Sequence, residues 1–170
     1  VSALGLTEGM HVLDCTLGIG ADAIVESFAV GASGSVTALE SNALIAAVIA
    51  DGLAHAIGDN YDMHAAMRRI VVHHADALTF LRAAADKGYD VIYFDPMFRR
   101  PLHESAGMNA LRVLADMRAL TEETIAEARR VARCRVVMKE RRGSAEFDRL
   151  GFTHVMGGKY SRIAYGVMKL

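Results

Sequence analysis

The sequence predicts a doubly wound α/β fold: a mostly parallel seven-stranded sheet, helices on both faces, and an antiparallel C-terminal hairpin. Three observations predict it. Short apolar runs alternate with helical patterns from Met10 to Met138, the signature of strand–helix–strand units with right-handed crossovers. A glycine turn, Gly18-Ile-Gly20, joins the first run to the first helix. The last two apolar segments, 152–156 and 163–168, leave no room for a helix between them, so one of them must run antiparallel to the rest.

The elements follow in order. Strand one covers about Met10–Leu13, and the first helix covers Ala21–Val30 and stops at Gly31. After the turn Gly31–Gly34, Ser35–Leu39 reads as a short buried strand ending at Glu40. A long helix is expected from Asn42 to about Ile57, with Leu44, Ile45, Val48 and Ile49 on one face and Gly58 as its stop. A weaker helix spans Met63–Arg69, and Ile70–His73 is strand three. Ala77–Ala85 is helical, and Val91–Phe94 is a strand leading to Asp95-Pro96. Helices are expected near Asn109–Leu120 and at Glu122–Val131, the second capped by the hydroxyls of Thr121 and Thr124. Arg135–Met138 is strand five, Ala145–Leu150 a short helix, and Phe152–Met156 with Ile163–Met168 the hairpin around Gly157-Gly158.

With 170 residues the chain makes a single domain, 1–170, large enough to bury a core. Its apolar fraction is 52% and its mean hydropathy +0.22, yet no apolar run reaches the ~18 to 20 residues a bilayer span needs. No secretory leader is visible. Cys15 and Cys134 are too few for a disulfide framework and read as buried reduced thiols. These features point to a soluble, cytoplasmic protein with no membrane association. The chain opens on Val1-Ser2 rather than Met, which leaves room for a small N-terminal domain upstream. The net charge of −1 argues against a uniformly basic nucleic-acid binder. Seven basic residues nevertheless fall between Arg129 and Arg142 against the single acid Glu140, and Lys139, Arg141 and Arg142 are expected to touch phosphates. Seven scattered histidines show no metal-ligand spacing, so no metal is expected.

In an open α/β sheet the ligand lies beyond the carboxyl ends of the strands. Asp14, Glu40, Asp76 and Asp95 all occupy such ends. Gly18 and Gly20 allow close approach of a ligand to the main chain. Asp14, four residues before Gly18, suits a cationic amino acid moiety better than a pyrophosphate, which favours S-adenosylmethionine. Glu40, 20 residues after Gly20, can accept both ribose hydroxyls, and Asp76 with Ala77 beside it is placed for an adenine amino group. The sharpest motif is Asp95-Pro96-Met97-Phe98. A base amino nitrogen is a poor nucleophile, so its hydrogens must be accepted and its lone pair aimed. The Asp95 carboxylate and the Pro96 carbonyl can accept, the proline ring stiffens that carbonyl, and Phe98 can stack on an extruded base. Asp95, Pro96 and Phe98 are therefore the expected catalytic residues.

These motifs resemble those of the small-subunit (16S) ribosomal RNA guanine-N2 methyltransferases that carry Asp-Pro-Met-Phe. The resemblance rests on Asp14-Cys-Thr16-Leu-Gly18-Ile-Gly20-Ala-Asp22-Ala, Leu39-Glu40-Ser41, Asp51-Gly-Leu-Ala54, Ala75-Asp76-Ala-Leu-Thr79, Tyr93-Phe-Asp95-Pro-Met-Phe98 and Val136-Val-Met-Lys139. It departs at Arg99-Arg100-Pro101. It implies a Rossmann-like class I methyltransferase fold, S-adenosyl-L-methionine as cofactor, and transfer to a base amino group, guanine N2 of ribosomal RNA first. By the same similarity Ala21, Asp22, Glu40, Ser41, Asp76, Ala77 and Asp95 are cofactor contacts, with Asp14, Thr16, Gly18 and Gly20 of the turn. RNA is the expected partner, through Arg99, Arg100, Lys139, Arg141 and Arg142. The alternatives are methylation of a small molecule or protein, or a nucleotide-binding module without catalysis. The oligomeric state stays open.

Overall fold

The structure, a computed structural model, describes residues 2–96 and 118–170. Seven strands form one sheet in the order β3-β2-β1-β4-β5-β7-β6. They are β1 (His11–Asp14), β2 (Ser35–Glu40), β3 (Ile70–His74), β4 (Tyr89–Phe94), β5 (Ala132–Arg141), β6 (His154–Met156) and β7 (Ile163–Lys169). The pairs among β1 to β5 are parallel, and β7 runs antiparallel between β5 and β6. The strand order reverses between β1 and β4, so the switch-point crevice opens beyond Asp14 and Phe94.

Strict alternation along the strands divides the core. Leu13, Leu39, Ile92, Phe94, Val136 and Met138 face one side of the sheet. There they pack with α4 (Ala77–Ala83), α5 (Glu122–Val131) and α6 (Glu146–Arg149). Val12, Val36, Ala38, Val91, Tyr93 and Val137 face the other, with α1 (Ala21–Val30), α2 (Ala43–Ala54) and α3 (Tyr61–Arg68). The central strands bury both faces, which is why they read as continuous apolar runs. The same parity carries Lys139, two residues after Val137, to the α1 side, in reach of Asp22.

Several boundaries differ from the sequence reading. α2 ends at Ala54, with His55 as its C-cap, before Gly58 is reached. Ile57 is fully in solvent, so no packing rewards another turn. On α2 the buried positions are Ile45, Ala46 and Leu53, while Leu44 and Val48 are exposed. Strand five extends at both ends, because β4 and β7 pair along its length. The hairpin strand starts at His154 rather than Phe152. Phe152 is buried edge-on against Phe147 of α6, and a side chain on Gly166 would overlap both rings. Cys134 is half-buried, unlike the buried Cys15. Most of the helix expected at Asn109–Leu120 lies outside the described residues, and 118–120 carry no regular structure.

Candidate active site

A cavity of about 490 Å³ opens at the switch point, within the ~300–1,000 Å³ range of small-molecule sites. It is lined by the turn Cys15–Ile19, Ala21, Asp22, Glu40, Ser41, Asp76, Ala77, Asp95, Pro96, Lys139 and the 118–121 segment. The geometry brings Thr16, Gly18, Ala21, Asp22, Glu40, Ser41, Asp76, Ala77, Asp95 and Pro96 together, as the sequence predicts.

The turn is built from local forces. Gly18 and Gly20 adopt φ of +51° and +80°, a left-handed backbone that costs glycine little, and Gly20 starts α1. Glu40 ends β2 with one carboxylate oxygen accepting from the Gly18 N–H (3.3 Å) and the other from the Asn42 N–H (2.9 Å). The next helix is capped by Asn42, whose side chain accepts from Leu44 and Ile45. Asp76 caps α4 by accepting from the Thr79 N–H at 3.0 Å, and its other oxygen accepts from the Arg118 guanidinium at 2.8 Å. The Thr79 amide, then Arg118, outweigh the opposing effect of burial and hold the Asp76 carboxyl below the usual range.

Asp14 is only 1% exposed and sits beneath the turn, not in the cavity. Its carboxylate accepts from the Thr16 N–H at 2.9 Å and from the Thr16 hydroxyl at 3.3 Å. That hydroxyl in turn accepts the Asp95 N–H at 2.6 Å, so Thr16 ties the first strand end to the fourth. Asp14 therefore props the turn, which corrects the expectation that it meets a ligand directly. Burial, reinforced by the charges of Asp22 and Asp95, pushes its carboxyl up to about 7.

At the β4–β5 end Lys139 donates to Asp22 at 2.7 Å and to Asp95 at 2.8 Å. The Tyr93 hydroxyl donates to the same Asp22 oxygen at 2.8 Å. Burial raises Asp95 to about 6, against the pull of the Lys139 ammonium. For Asp22 burial acts in the same direction, but Lys139 and Tyr93 outweigh it and hold the carboxyl below its ordinary value. Lys139, whose ammonium burial disfavours, is nevertheless held protonated by the two carboxylates. Its expected role as a phosphate contact is therefore corrected: the side chain is engaged inside the site. Glu26 is buried nearby, and its carboxyl oxygens lack hydrogen-bond partners among the described residues; burial, then the Asp14 and Asp22 charges, pushes its carboxyl well above the usual range.

Sequence reasoning missed Tyr93 as part of the site, gave Lys139 to an RNA backbone rather than to the carboxylates, and missed Arg118. The available signal for the first two was parity, since Tyr93, Asp95 and Lys139 share the strand face that Asp14 ends on. Phe98, Arg99 and Arg100 lie outside the described residues. Arg142 donates to the Gly158 carbonyl, and the main chain of Arg141 is paired to β7. Among the described residues, no helix is long and apolar enough to cross a membrane.

Residues 1–165 match the family described as "Putative SAM-dependent methyltransferase". The chain is 44% identical over 167 residues to the Bacillus subtilis protein YpiP, covering 98% of this chain and 65% of that protein. It is 33% identical over 171 residues to "Ribosomal RNA small subunit methyltransferase J" of Pseudomonas syringae, covering 94% and 60%. It thus spans less than two thirds of the length of these curated relatives. A SAM-dependent methyltransferase from Aquifex aeolicus shares the fold at a TM-score of 0.63 and 16% identity, over 99% of this chain and 86% of that one. Cavity, turn and strand-end carboxylates agree with these matches in fold and cofactor: the chain belongs to the S-adenosylmethionine-dependent methyltransferase family.

Proposed function

We propose that this chain methylates an exocyclic amino group of a nucleic-acid base, guanine N2 of ribosomal RNA before others. The observation that carries this reading is Asp95-Pro96 at the cavity mouth, with the Asp95 carboxylate fixed by Lys139. The motif's resemblance and the relatives named for small-subunit ribosomal RNA support the same target.

The cavity fits the cofactor: the glycine turn leaves main chain open to a ligand, Glu40 offers two acceptor oxygens, and Asp76 and Ala77 line the far end. Gly18 to Asp22, Glu40, Ser41, Asp76 and Ala77 would hold it. When bound, S-adenosylmethionine supplies an electrophilic methyl group on a positively charged sulfur. The protein's share is to orient the acceptor and take its proton. The Asp95 carboxylate accepts an amino hydrogen, the Pro96 carbonyl accepts the second, and Asp95 receives the proton that the alkylated nitrogen releases. A carboxyl raised to about 6 can take up and return that proton near neutral pH. Lys139 keeps Asp95 ionised beforehand.

The test uses full-length protein, labelled S-adenosylmethionine and ribosomal RNA from cells lacking the protein, followed by nucleoside analysis. Label in N2-methylguanosine is the expected result. Label confined to protein or small molecules would overturn the reading.

A further inference from the structure

The β6–β7 loop stands on the same sheet edge as the active site. β5 and β7 pair Lys139 with Tyr165 and Arg141 with Ile163, and the Arg142 N–H donates to the Arg162 carbonyl at 2.9 Å. The loop thus begins three residues beyond Lys139, about 10 Å along the strand direction.

Every residue from His154 to Arg162 is exposed. Within that stretch Tyr160 leaves 89% of its surface in solvent, and the Lys159 ammonium lies 5.4 Å from its ring centroid. Arg162 follows, Arg142 flanks the loop, and no Asp or Glu occurs between Leu150 and Leu170. The shape of the loop is fixed. Ser161 bonds through its hydroxyl to the carbonyl and N–H of Ile163 (2.8 and 3.0 Å), and its N–H donates to Gly158. The Arg142 guanidinium holds the Gly158 carbonyl, and a side chain at Gly157 would crowd that guanidinium.

We propose that this loop is a docking site for single-stranded RNA beside the target base, with Tyr160 stacking on one base and Lys159, Arg162 and Arg142 meeting the backbone phosphates. An unpacked aromatic ring on a rigid turn, set among cations with no acid in its own segment, is what sequence-tolerant single-strand binding requires. Stacking supplies affinity for any base, and the cations supply the salt-dependent part. The target nucleotide's neighbours would be held here while Asp95 handles the reacting amino group. The inference rests on the RNA reading above, and its test separates the two.

Full-length wild type, Tyr160→Ala, Tyr160→Phe and the Lys159→Ala/Arg162→Ala double variant are titrated against a fluorescein-labelled single-stranded ribosomal RNA fragment at several salt concentrations. Thermal melts check folding, and methyl transfer by wild type to ribosomal RNA is measured in parallel. Tyr160→Ala should weaken binding about tenfold with the salt slope unchanged, and Tyr160→Phe should restore it. The double variant should flatten the slope by about two. If wild type methylates RNA and both Tyr160→Ala and the double variant bind as wild type does, the loop proposal is overturned and the base reading survives. If binding depends on the loop but no RNA is methylated, the loop stands and the base reading falls. No binding by wild type overturns both.

Discussion

At the β2–β3 end of the cavity, Glu40 and Asp76 are held chiefly by main-chain amides, those of Asn42 and Thr79 close by in sequence and that of Gly18 in the glycine turn. At the β4–β5 end, Asp22 and Asp95 share one ammonium that arrives 117 and 44 residues further along the chain. The first arrangement is made by strand ends, helix caps and main-chain amides, and it fixes acceptors largely without a balance of buried charge. The second is an electrostatic balance in which two carboxylates depend on one cation, so it responds to pH and to the loss of either partner. Fixed acceptors suit a cofactor that must be bound in one pose. A balance of charge suits the step in which a proton changes hands.

Substitutions should separate the two ends. The largest effect is expected from Asp95→Asn, which keeps the shape but loses the proton acceptor. Single-turnover transfer should fall by about 10²- to 10⁴-fold, the usual worth of a positioned acid or base, with S-adenosylhomocysteine affinity little changed. Next comes Lys139→Met. Without the ammonium, Asp95 titrates higher, so the pH at which transfer reaches half its maximum should move upward from about 6, with a smaller loss of rate at pH 9. An unshifted pH profile would mean that Lys139 does not set the ionisation of Asp95.

Glu40→Ala tests the other end. Calorimetry should show S-adenosylhomocysteine binding weaker by about 1–3 kcal/mol, the range for stranding polar partners. The smallest effect concerns stability. The raised Asp14 carboxyl binds a proton more tightly in the folded state than in the unfolded chain. Its stabilisation is therefore complete below about pH 4 and is lost as pH rises through about 7. Asp14→Asn should flatten that part of the stability–pH curve, read by denaturant titrations at pH 4 and pH 8. A curve unchanged in slope would show that Asp14 is not proton-linked to folding.

The same contrast explains what could be read in the sequence. Glu40, Asp76 and the Gly18–Asp22 turn were legible because each carries its own local signal: a strand end, a helix cap or a pair of glycines. α1 and α5 were predicted to their observed ends, since Gly31 and the Thr121–Thr124 pair mark them. Lys139 was misread because its charge suggested solvent and phosphate, whereas its partners come from α1 and β4. Asp14 was legible as a strand-end acid. Its burial under Thr16 was not, because it depends on the bond from Asp95 to the Thr16 hydroxyl, 79 residues away in sequence.

A paired measurement of Asp95→Asn and Glu40→Ala tests the division of labour between the two ends most directly: single-turnover methyl transfer to ribosomal RNA at saturating cofactor, and S-adenosylhomocysteine affinity by calorimetry. The predicted result is a crossed pattern, in which the Asp95 variant loses rate far more than affinity and the Glu40 variant loses affinity far more than rate. Parallel losses in both quantities for both folded variants, or a wild-type rate from Asp95→Asn, would contradict it.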